Sequence, residues 1–196
     1  MTAAHGPIAQ ALWLALPVTL AGLTHVTAIA RGVLPSLARV RLDGGLELGG
    51  RPLLGANKTL RGAIVMIGAS VVWAGVFDSI QRGLGLDESL RFIPHEQLGS
   101  VGLGLLLGTA YIVGELPNSF IKRRLGVAPG AAAAGRGRRL FWVIDQLDSA
   151  VAIVLALAWF RAPSLGFVLA LLGLTALVHP AVAALMKALE LKERIG

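Results

Sequence analysis

Five apolar runs, separated by polar segments, dominate the pattern along this 196-residue chain. Each run approaches the roughly 20 residues that a helix needs to cross the hydrocarbon core of a bilayer. Backbone N–H and C=O groups inside a bilayer must be paired within the protein, and these runs lack the alternation of barrel strands. The pattern therefore predicts one all-α integral membrane domain over residues 1–196, with five transmembrane helices at about 8–30, 62–80, 98–116, 140–160 and 164–186.

The composition argues against a soluble domain. Hydrophobic residues make up 55% of the chain, charged residues only 15%, and the mean hydropathy is +0.73. Soluble domains usually carry about a quarter charged residues. The chain contains no cysteine, so disulfides, thiolate nucleophiles and cysteine-ligated metals are excluded.

The cations are distributed unevenly between alternate polar segments. Fifteen of the eighteen Lys and Arg residues lie in segments 31–61 and 117–139 or in the C-terminal tail, whereas the other segments hold only Arg82, Arg91 and Arg161. Because basic loops stay in the cytoplasm, this predicts an external N-terminus, a cytoplasmic C-terminus and two long cytoplasmic loops. In a membrane protein, the net charge of +7 indicates orientation and attraction to anionic headgroups or phosphates, rather than nucleic acid.

Two acids lie close together in the fourth apolar run. Asp145 and Asp148 are three residues apart, so a helix presents both carboxylates on one face. Carboxylates near hydrocarbon are costly, and such residues in membrane proteins are usually functional. Mg²⁺ is commonly bound by one or two carboxylates together with substrate phosphates and water. We therefore expect a magnesium site here; the alternative is an ion pair with Arg138 or Arg139.

A basic cluster, Lys122–Arg124, follows the third run on the same predicted side. Arginine forks and lysine point charges hold phosphate oxygens, so this cluster is a candidate site for a nucleotide or lipid phosphate. The alternative is a stop-transfer cluster that only fixes orientation. Glu115, at the end of the same run, is either a third acid of the magnesium site or a solvated partner of Lys122.

The string GANKTLRG precedes the second run. Its glycines let the backbone approach a ligand closely, and the free amides at a helix start can bind an anion. Asn57, Lys58, Thr59 and Arg61 are therefore candidate phosphate-binding residues, although their order is not that of a P-loop. The alternative is a helix cap followed by an orientation anchor.

Three polar residues in the apolar runs receive structural interpretations. Asp78 lies at the external end of the second run and is expected at the membrane interface. His25 and His179 have no motif around them, so we expect roles in kinking or packing rather than in ligation.

At three stretches the chain resembles the CDP-archaeol synthases, relatives of the CDP-diacylglycerol synthases. The stretches are GANKTLRG (55–62), GELPNSFIKRRLGVAPG (114–130) and FWVIDQLDSA (141–150). They cover most of the predicted cytoplasmic face, and the SFIKRRLG string joined to a downstream DQLD is specific. The chain departs from the family pattern where GD-x-x-K is expected: Glu115 keeps the carboxylate on a longer arm, and Asn118 replaces a cation.

The resemblance implies a five-span, CTP-dependent cytidylyltransferase. In this family a lipid phosphate attacks the α-phosphorus of CTP, which gives a CDP-activated lipid and pyrophosphate, with Mg²⁺ as cofactor. By the resemblance, Asp145 and Asp148 hold the metal and are catalytic together with Lys122. Phosphates would be held by Ser119, Lys122, Arg123 and Arg124 on one side and by Asn57, Lys58, Thr59 and Arg61 on the other.

We therefore predict a magnesium-dependent enzyme of the cell membrane, meaning the inner or plasma membrane, with its active site on the cytoplasmic side. Its predicted partners are CTP, membrane lipids and a lipid phosphate, either phosphatidate or an ether-lipid analogue. Two alternatives stay open: a non-catalytic protein that binds anionic lipids through its basic loops, and a small transporter. Transport is the weaker of these, because the acids cluster at one face without an acidic path across the membrane.

Overall fold

The computed structural model describes residues 5–131, Ala133 and 135–188. Five long helices run through the described part of the chain, and each is long and apolar enough to cross a membrane. The predicted number of spans is thus confirmed. The tail cations Lys192 and Arg194 lie outside the described residues. The long helices are α1 (Pro7–Ala30), α3 (Leu60–Gly83), α4 (Ser100–Arg124), α5 (Arg138–Ala158) and α6 (Leu165–Ala188).

Helix α4 is longer than the sequence analysis predicts. The predicted third span ends at residue 116, but α4 continues through Pro117 to Arg124. Proline removes one backbone N–H, and membrane helices tolerate this because neighbouring groups satisfy the freed carbonyl. The basic cluster Lys122–Arg124 is therefore the last helical turn, where positive charge also suits the helix dipole. The predicted loop 117–139 shortens to 125–137.

The connection between α1 and α3 contains short elements that the all-α prediction omits. Helix α2 (Pro35–Ala38) is one turn long, and β1 (Glu47–Leu48) pairs antiparallel with β2 (Arg51–Pro52). The turn of this hairpin is Gly49 and Gly50, with φ of 59° and 69°. Two positive φ angles are what a type I′ hairpin turn requires, which explains the glycine pair.

Contacts at both ends fix the up-and-down order of the helices. At one end, Lys58 before α3 pairs with Glu115 of α4, and Lys122 of α4 pairs with Asp145 of α5. These contacts bring the start of α3, the end of α4 and the start of α5 together. We call this the basic end of the bundle.

The opposite end is closed by ion pairs around Asp78. This residue is 5% exposed, and its carboxylate lies 2.6 Å from Arg91 Nη1, 2.5 Å from Arg82 Nη2 and 3.2 Å from His95 Nδ1. Arg91 and His95 come from the segment 84–99, which folds back over the helix ends. Asp78 therefore lies near the end of its helix, as expected, but residues distant in the sequence also bury and neutralise its carboxylate, which the sequence analysis did not predict.

The main apolar core joins α1, α4, α5 and α6 in the half of the bundle away from the basic end. Leu14, Leu107, Ile153, Leu157 and Phe167 are all nearly inaccessible to solvent within it. The half nearer the basic end has a smaller core around Ala21, Met66 and Ala69.

Glycines bring α4 against both of its neighbours. A Cβ on Gly108 would lie 2.7 Å from the Ile67 Cα, and one on Gly104 would overlap the backbone of α3. On the other side of α4, a Cβ on Gly114 would lie 2.6 Å from the Ala152 Cβ. Small residues allow such close packing between membrane helices. Gly114 thereby sets the distance between α4 and the acid-bearing helix α5.

Gly108→Ala is expected to destabilise the bundle by about 1–3 kcal/mol, the usual cost of overpacking. The added methyl group has no room beside the Ile67 Cα unless α3 and α4 separate. Gly68→Ala is the matched control, since Gly68 is exposed on α3 and a Cβ there meets no atom within 4 Å. Thermal unfolding in detergent checks the prediction, and equal stability of the two variants would contradict it.

Candidate active site at the basic end of the bundle

Asp145 and Asp148 form the centre of the basic end. They lie one turn apart on α5, and the side-chain amide of Asn118 on α4 bridges them. Its Nδ2 donates to Asp145 Oδ1 at 2.6 Å and to Asp148 Oδ2 at 2.9 Å. One nitrogen within reach of both carboxylates confirms that they share a helical face.

Lys122 and Ser149 complete the partners of the acid pair. Lys122, itself buried, donates to Asp145 Oδ1 in an ion pair. The backbone N–H of Ser149 donates to Asp148 Oδ1 at 2.7 Å, and its hydroxyl lies 3.2 Å from the same oxygen. Among the described residues, Lys122 is the ion-pair partner of Asp145, whereas the alternative from sequence assigned that role to Arg138 or Arg139.

Glu115 pairs with a residue that the sequence analysis did not associate with it. Its carboxylate accepts from Lys58 Nζ, which ties the string before α3 to α4. Thr59, next to Lys58, caps α3: its Oγ1 accepts the Gly62 N–H at 3.3 Å. Within the described chain, no group of three or more His, Cys, Asp and Glu is arranged to hold a metal. A role of Glu115 as a third acid of the magnesium site therefore stays a prediction.

A cavity of about 330 Å³ lies beside these groups. We call it the cleft. The string before α3, the last turns of α4 and the first turns of α5 all contribute to it, as the sequence analysis predicts. Its lining includes most of the predicted site residues and three others, Asn118, Gly130 and Ala131; the predicted ones are Asn57, Lys58, Glu115, Ser119, Lys122, Arg123, Asp145 and Asp148.

Arg123 brings a buried guanidinium to the cleft. The residue is 5% exposed, and nothing among the described residues accepts a hydrogen bond from its Nε or Nη1. Burying a charge without a partner is costly, several kcal/mol per ion after relaxation by order of magnitude. An anionic ligand in the cleft would supply the missing acceptors through charge-assisted hydrogen bonds. The arrangement therefore favours phosphate binding.

Two of the predicted phosphate-binding arginines do not line the cleft. Arg124 donates to the backbone carbonyls of Leu48, Arg51 and Pro52, at 2.9 Å for Arg51. Arg51 in return donates to the Arg124 carbonyl, so the hairpin is bound to the end of α4. Arg61 lies in the first turn of α3, and its buried Nε has no partner in the described part of the chain. Arg124 therefore supports the hairpin.

Asp43 organises the segment that leads to the cleft. Its buried carboxylate accepts the backbone N–H groups of Gly45 at 3.0 Å, Leu54 at 2.9 Å and Gly55 at 3.3 Å. Arg41 Nε lies 3.2 Å away. Burial alone would raise the pKa of the Asp43 carboxyl, but the three amides and Arg41 together hold that pKa below its ordinary value. The sequence analysis assigned no role to this residue.

Asp43→Asn is expected to destabilise the protein by about 1–3 kcal/mol near pH 7, the usual cost of leaving buried donors unpaired. The variant has one acceptor oxygen where the wild type uses two. Because the folded pKa lies below the unfolded one, the carboxylate stabilises the fold above the unfolded pKa of about 3.9 and ceases to do so as the pH falls through the folded pKa. Thermal unfolding at decreasing pH checks this: the two proteins should converge in acid, and a constant difference would contradict the assignment.

Asn118 lines the cleft although it was not among the predicted site residues. By the resemblance, its position marks the loss of a cation. The structure shows that its amide instead bridges the two carboxylates. Its spacing could have predicted a position at the site, because Asn118 lies four residues before Lys122 and so shares that residue's helical face.

Comparison with known proteins identifies the family. The model of the CarS-like CDP-archaeol synthases matches residues 8–195. A CDP-archaeol synthase of Halobacterium salinarum is 34% identical over 161 residues, which cover 81% of this chain and 76% of that protein. The one of Methanopyrus kandleri is 33% identical over 149 residues, which cover 76% and 69%. The one of Natronomonas pharaonis is 27% identical over 197 residues, which cover 95% and 96%.

A solved structure shares the fold. It is described as an intramembrane enzyme for archaeal membrane lipids biosynthesis, and it superimposes with a TM-score of 0.62 over 89% of this chain and 92% of its own. At 23% identity, this likeness shows the fold alone. The family model covers nearly the whole chain, and two of these relatives exceed 30% identity over more than two thirds of it. The chain therefore belongs to the CDP-archaeol synthase family.

Proposed function

We propose that the cleft transfers the cytidylyl group of CTP to a lipid phosphate held at the membrane surface. The family is one of membrane cytidylyltransferases, which make a CDP-activated lipid. The observation that carries the assignment to this cleft is the Arg123 guanidinium, buried and unpaired among the described residues, in the same lining as the acid pair Asp145 and Asp148. A triphosphate and a lipid phosphate both present the anionic oxygens that such a lining binds.

The acid pair and Asn118 fit a magnesium ion. Both carboxylates lie within reach of one Asn118 nitrogen, and Asn118 Oδ1 is buried without a hydrogen-bond partner in the described part of the chain. Mg²⁺ prefers oxygen ligands and usually takes one or two carboxylates, with water and substrate phosphates completing its shell. Asp145 and Asp148 would hold the ion. When bound, Mg²⁺ neutralises triphosphate charge and assists the departure of pyrophosphate.

The cations of the cleft would bind the phosphate oxygens. Lys58 and Lys122 each lie in an ion pair within the lining, and Arg123 lines the cleft without an ion-pair partner among the described residues. An arginine binds two oxygens in a fixed fork, whereas a lysine provides a point charge that adapts to its ligand. Groups held in place before the reaction stabilise the charge that develops during transfer, usually the largest single catalytic contribution.

The chemistry requires no nucleophile from the protein. A non-bridging oxygen of the lipid phosphate forms a bond to the α-phosphorus as the bond from that phosphorus to the bridging β-phosphate oxygen breaks. The products are the CDP-activated lipid and pyrophosphate. A phosphate monoester, whose second pKa is about 6, is already largely ionised at neutral pH. Holding the two phosphates together is then the main task of the side chains.

We place the cleft on the cytoplasmic side of the cell membrane. The basic end carries Lys58 and Lys122–Arg124, and basic segments stay in the cytoplasm. CTP would enter the cleft from water at this side. The lipid phosphate would arrive from within the bilayer, with its headgroup at the same depth as the acid pair.

Reconstituted protein tests the proposal directly. Liposomes are given labelled CTP, Mg²⁺ and one of three acceptors: phosphatidate, an archaeal ether-lipid phosphate or a polyprenyl phosphate. We expect one acceptor to yield a CDP-lipid, identified by mass, with an equal amount of pyrophosphate, and EDTA to stop the reaction. CTP binding without product from any acceptor would favour the non-catalytic alternative, and ion or solute flux without CTP would favour the transporter.

A further inference from the structure

A second cavity lies next to the cleft, inside the membrane-spanning part of the bundle. It measures about 210 Å³ and lies between α1, α4, α5 and α6. On α1 its lining runs from Leu14 to Val26, which is about 18 Å along the helix axis. The lining is predominantly apolar. A cavity of this volume over that length is narrow and elongated, the shape of a hydrocarbon chain.

The cavity and the cleft share a thin wall. Ser149 lines the cavity, while its neighbour Asp148 lines the cleft, and the Ser149 hydroxyl lies 3.2 Å from Asp148 Oδ1. Tyr111 lines the cavity one helical turn before Glu115, which lines the cleft. One layer of side chains therefore separates a charged compartment from an apolar one. An amphiphile could place its two ends on the two sides of this layer.

Besides Thr19, Ser149 and Thr175, three larger polar side chains, Tyr111, His25 and His179, interrupt the apolar lining. The Tyr111 hydroxyl lies 3.3 Å from His179 Nε2. His25 Nε2 and His179 Nδ1 are buried, and neither has a hydrogen-bond partner among the described residues. Buried polar atoms are nearly always paired in native proteins, so unpaired ones require an explanation. A pure hydrocarbon would leave these nitrogens unpaired, whereas ether, ester or hydroxyl oxygens would accept from them.

We infer that this cavity binds one hydrocarbon chain of the lipid phosphate, with His25 and His179 donating to oxygens of the linkage between chain and phosphate. The inference rests on the proposed function. Gly22, Leu23 and Leu174 line the cavity and are only partly buried, so it opens to the bilayer between α1 and α6. The chain enters there, and the phosphate reaches the cleft beside Ser149. The two histidines, for which the sequence predicts roles in kinking or packing, would on this inference also bind lipid.

Gly22→Phe tests the inference by filling the cavity. Gly22 lines it, and a Cβ at this position meets no atom within 4 Å, so the ring enters free space. Gly173→Phe is the matched control: Gly173 is exposed on α6, is absent from the cavity lining and has an equally free Cβ position. Gly22→Leu provides a smaller filling should the phenyl variant fail to fold.

We expect Gly22→Phe to raise the KM for a long-chain lipid phosphate about tenfold or more, the scale on which pockets discriminate by size. The KM for CTP should stay unchanged. For a short-chain lipid phosphate, Gly22→Phe and the wild type should have the same KM. Gly173→Phe should match the wild type with every substrate. His25→Phe, which keeps the ring and removes the N–H, should raise the lipid KM at every chain length. Wild-type lipid KM in Gly22→Phe and Gly22→Leu would overturn the inference.

Failure of the proposed function gives a different pattern. In that case wild type and all variants form no CDP-lipid from any acceptor. Lipid retained on the purified proteins is therefore counted by mass spectrometry as a second measurement. Equal retention of lipid phosphate by the wild type and Gly22→Phe would overturn the cavity assignment, whether or not turnover occurs.

Discussion

Asp148→Asn is expected to lower kcat by about 10²–10³-fold or more, the scale seen when one preorganised electrostatic group is removed. The amide still accepts a hydrogen bond, but it removes the negative charge with which Asp148 and Asp145 would hold Mg²⁺. Turnover of CTP in liposomes measures the effect. Membrane insertion and thermal stability should remain close to those of the wild type, because the side chain keeps its size and one acceptor.

Glu47→Gln serves as the matched control for this loss. Glu47 is an exposed acid on the hairpin at the same end of the bundle, so its neutralisation changes the surface charge equally without touching the cleft. It should leave kcat unchanged. Full activity in Asp148→Asn, or an equal loss in Glu47→Gln, would remove the acid pair from the proposed mechanism.

Arg123→Ala and Arg124→Ala are expected to affect different properties, although the residues are adjacent: the first should impair catalysis and the second should impair stability. Loss of Arg123 should lower kcat/KM for CTP about 10–10²-fold, since a hydrogen bond to a charged group contributes about 1.5–3 kcal/mol. Arg124 donates to three hairpin carbonyls and does not line the cleft. Its loss should instead lower stability by about 1–3 kcal/mol and leave the KM for CTP nearly unchanged.

Steady-state kinetics and thermal unfolding of both variants separate these roles. Arg123→Lys adds a graded comparison: it keeps the charge but loses the fork, so it should recover only part of the CTP affinity. A large loss of kcat/KM for CTP in Arg124→Ala, with a wild-type value in Arg123→Ala, would show that the phosphate-binding arginine is the one bound to the hairpin. That result would reverse the assignment.

Sequence reasoning succeeded where one local rule decides the outcome. Length and hydropathy are sufficient to predict five spans, and the spacing of Asp145 and Asp148 is sufficient to place their carboxylates together. It failed where the deciding partner is distant in the sequence. Asp78 becomes buried because Arg91, thirteen residues later, folds back over it.

Residues whose roles depend on tertiary contacts were the hardest to assign from the sequence. Arg123 and Arg124 belong to one basic triplet, yet their tertiary surroundings differ: Arg123 is buried in the cleft lining without a partner among the described residues, whereas Arg124 holds the hairpin. In the sequence, Asn118 is recognised only as the replacement of a cation; its hydrogen bond to Asp145 depends on the packing of α5 against α4. Asp43 acquires its function from backbone amides of a loop whose conformation depends on glycine turns.

The layer of side chains between cleft and cavity has a consequence for the order of binding. If the cleft holds CTP and the cavity holds the hydrocarbon chain, as proposed, the layer containing Ser149 and Tyr111 keeps the chain out of the space of the nucleotide. No cysteine is available, and the transfer needs no covalent intermediate on the protein. Double-reciprocal plots of rate against CTP at several lipid concentrations should therefore intersect, as a ternary complex requires, rather than run parallel. Under the proposal, neither substrate would have to leave before the other binds.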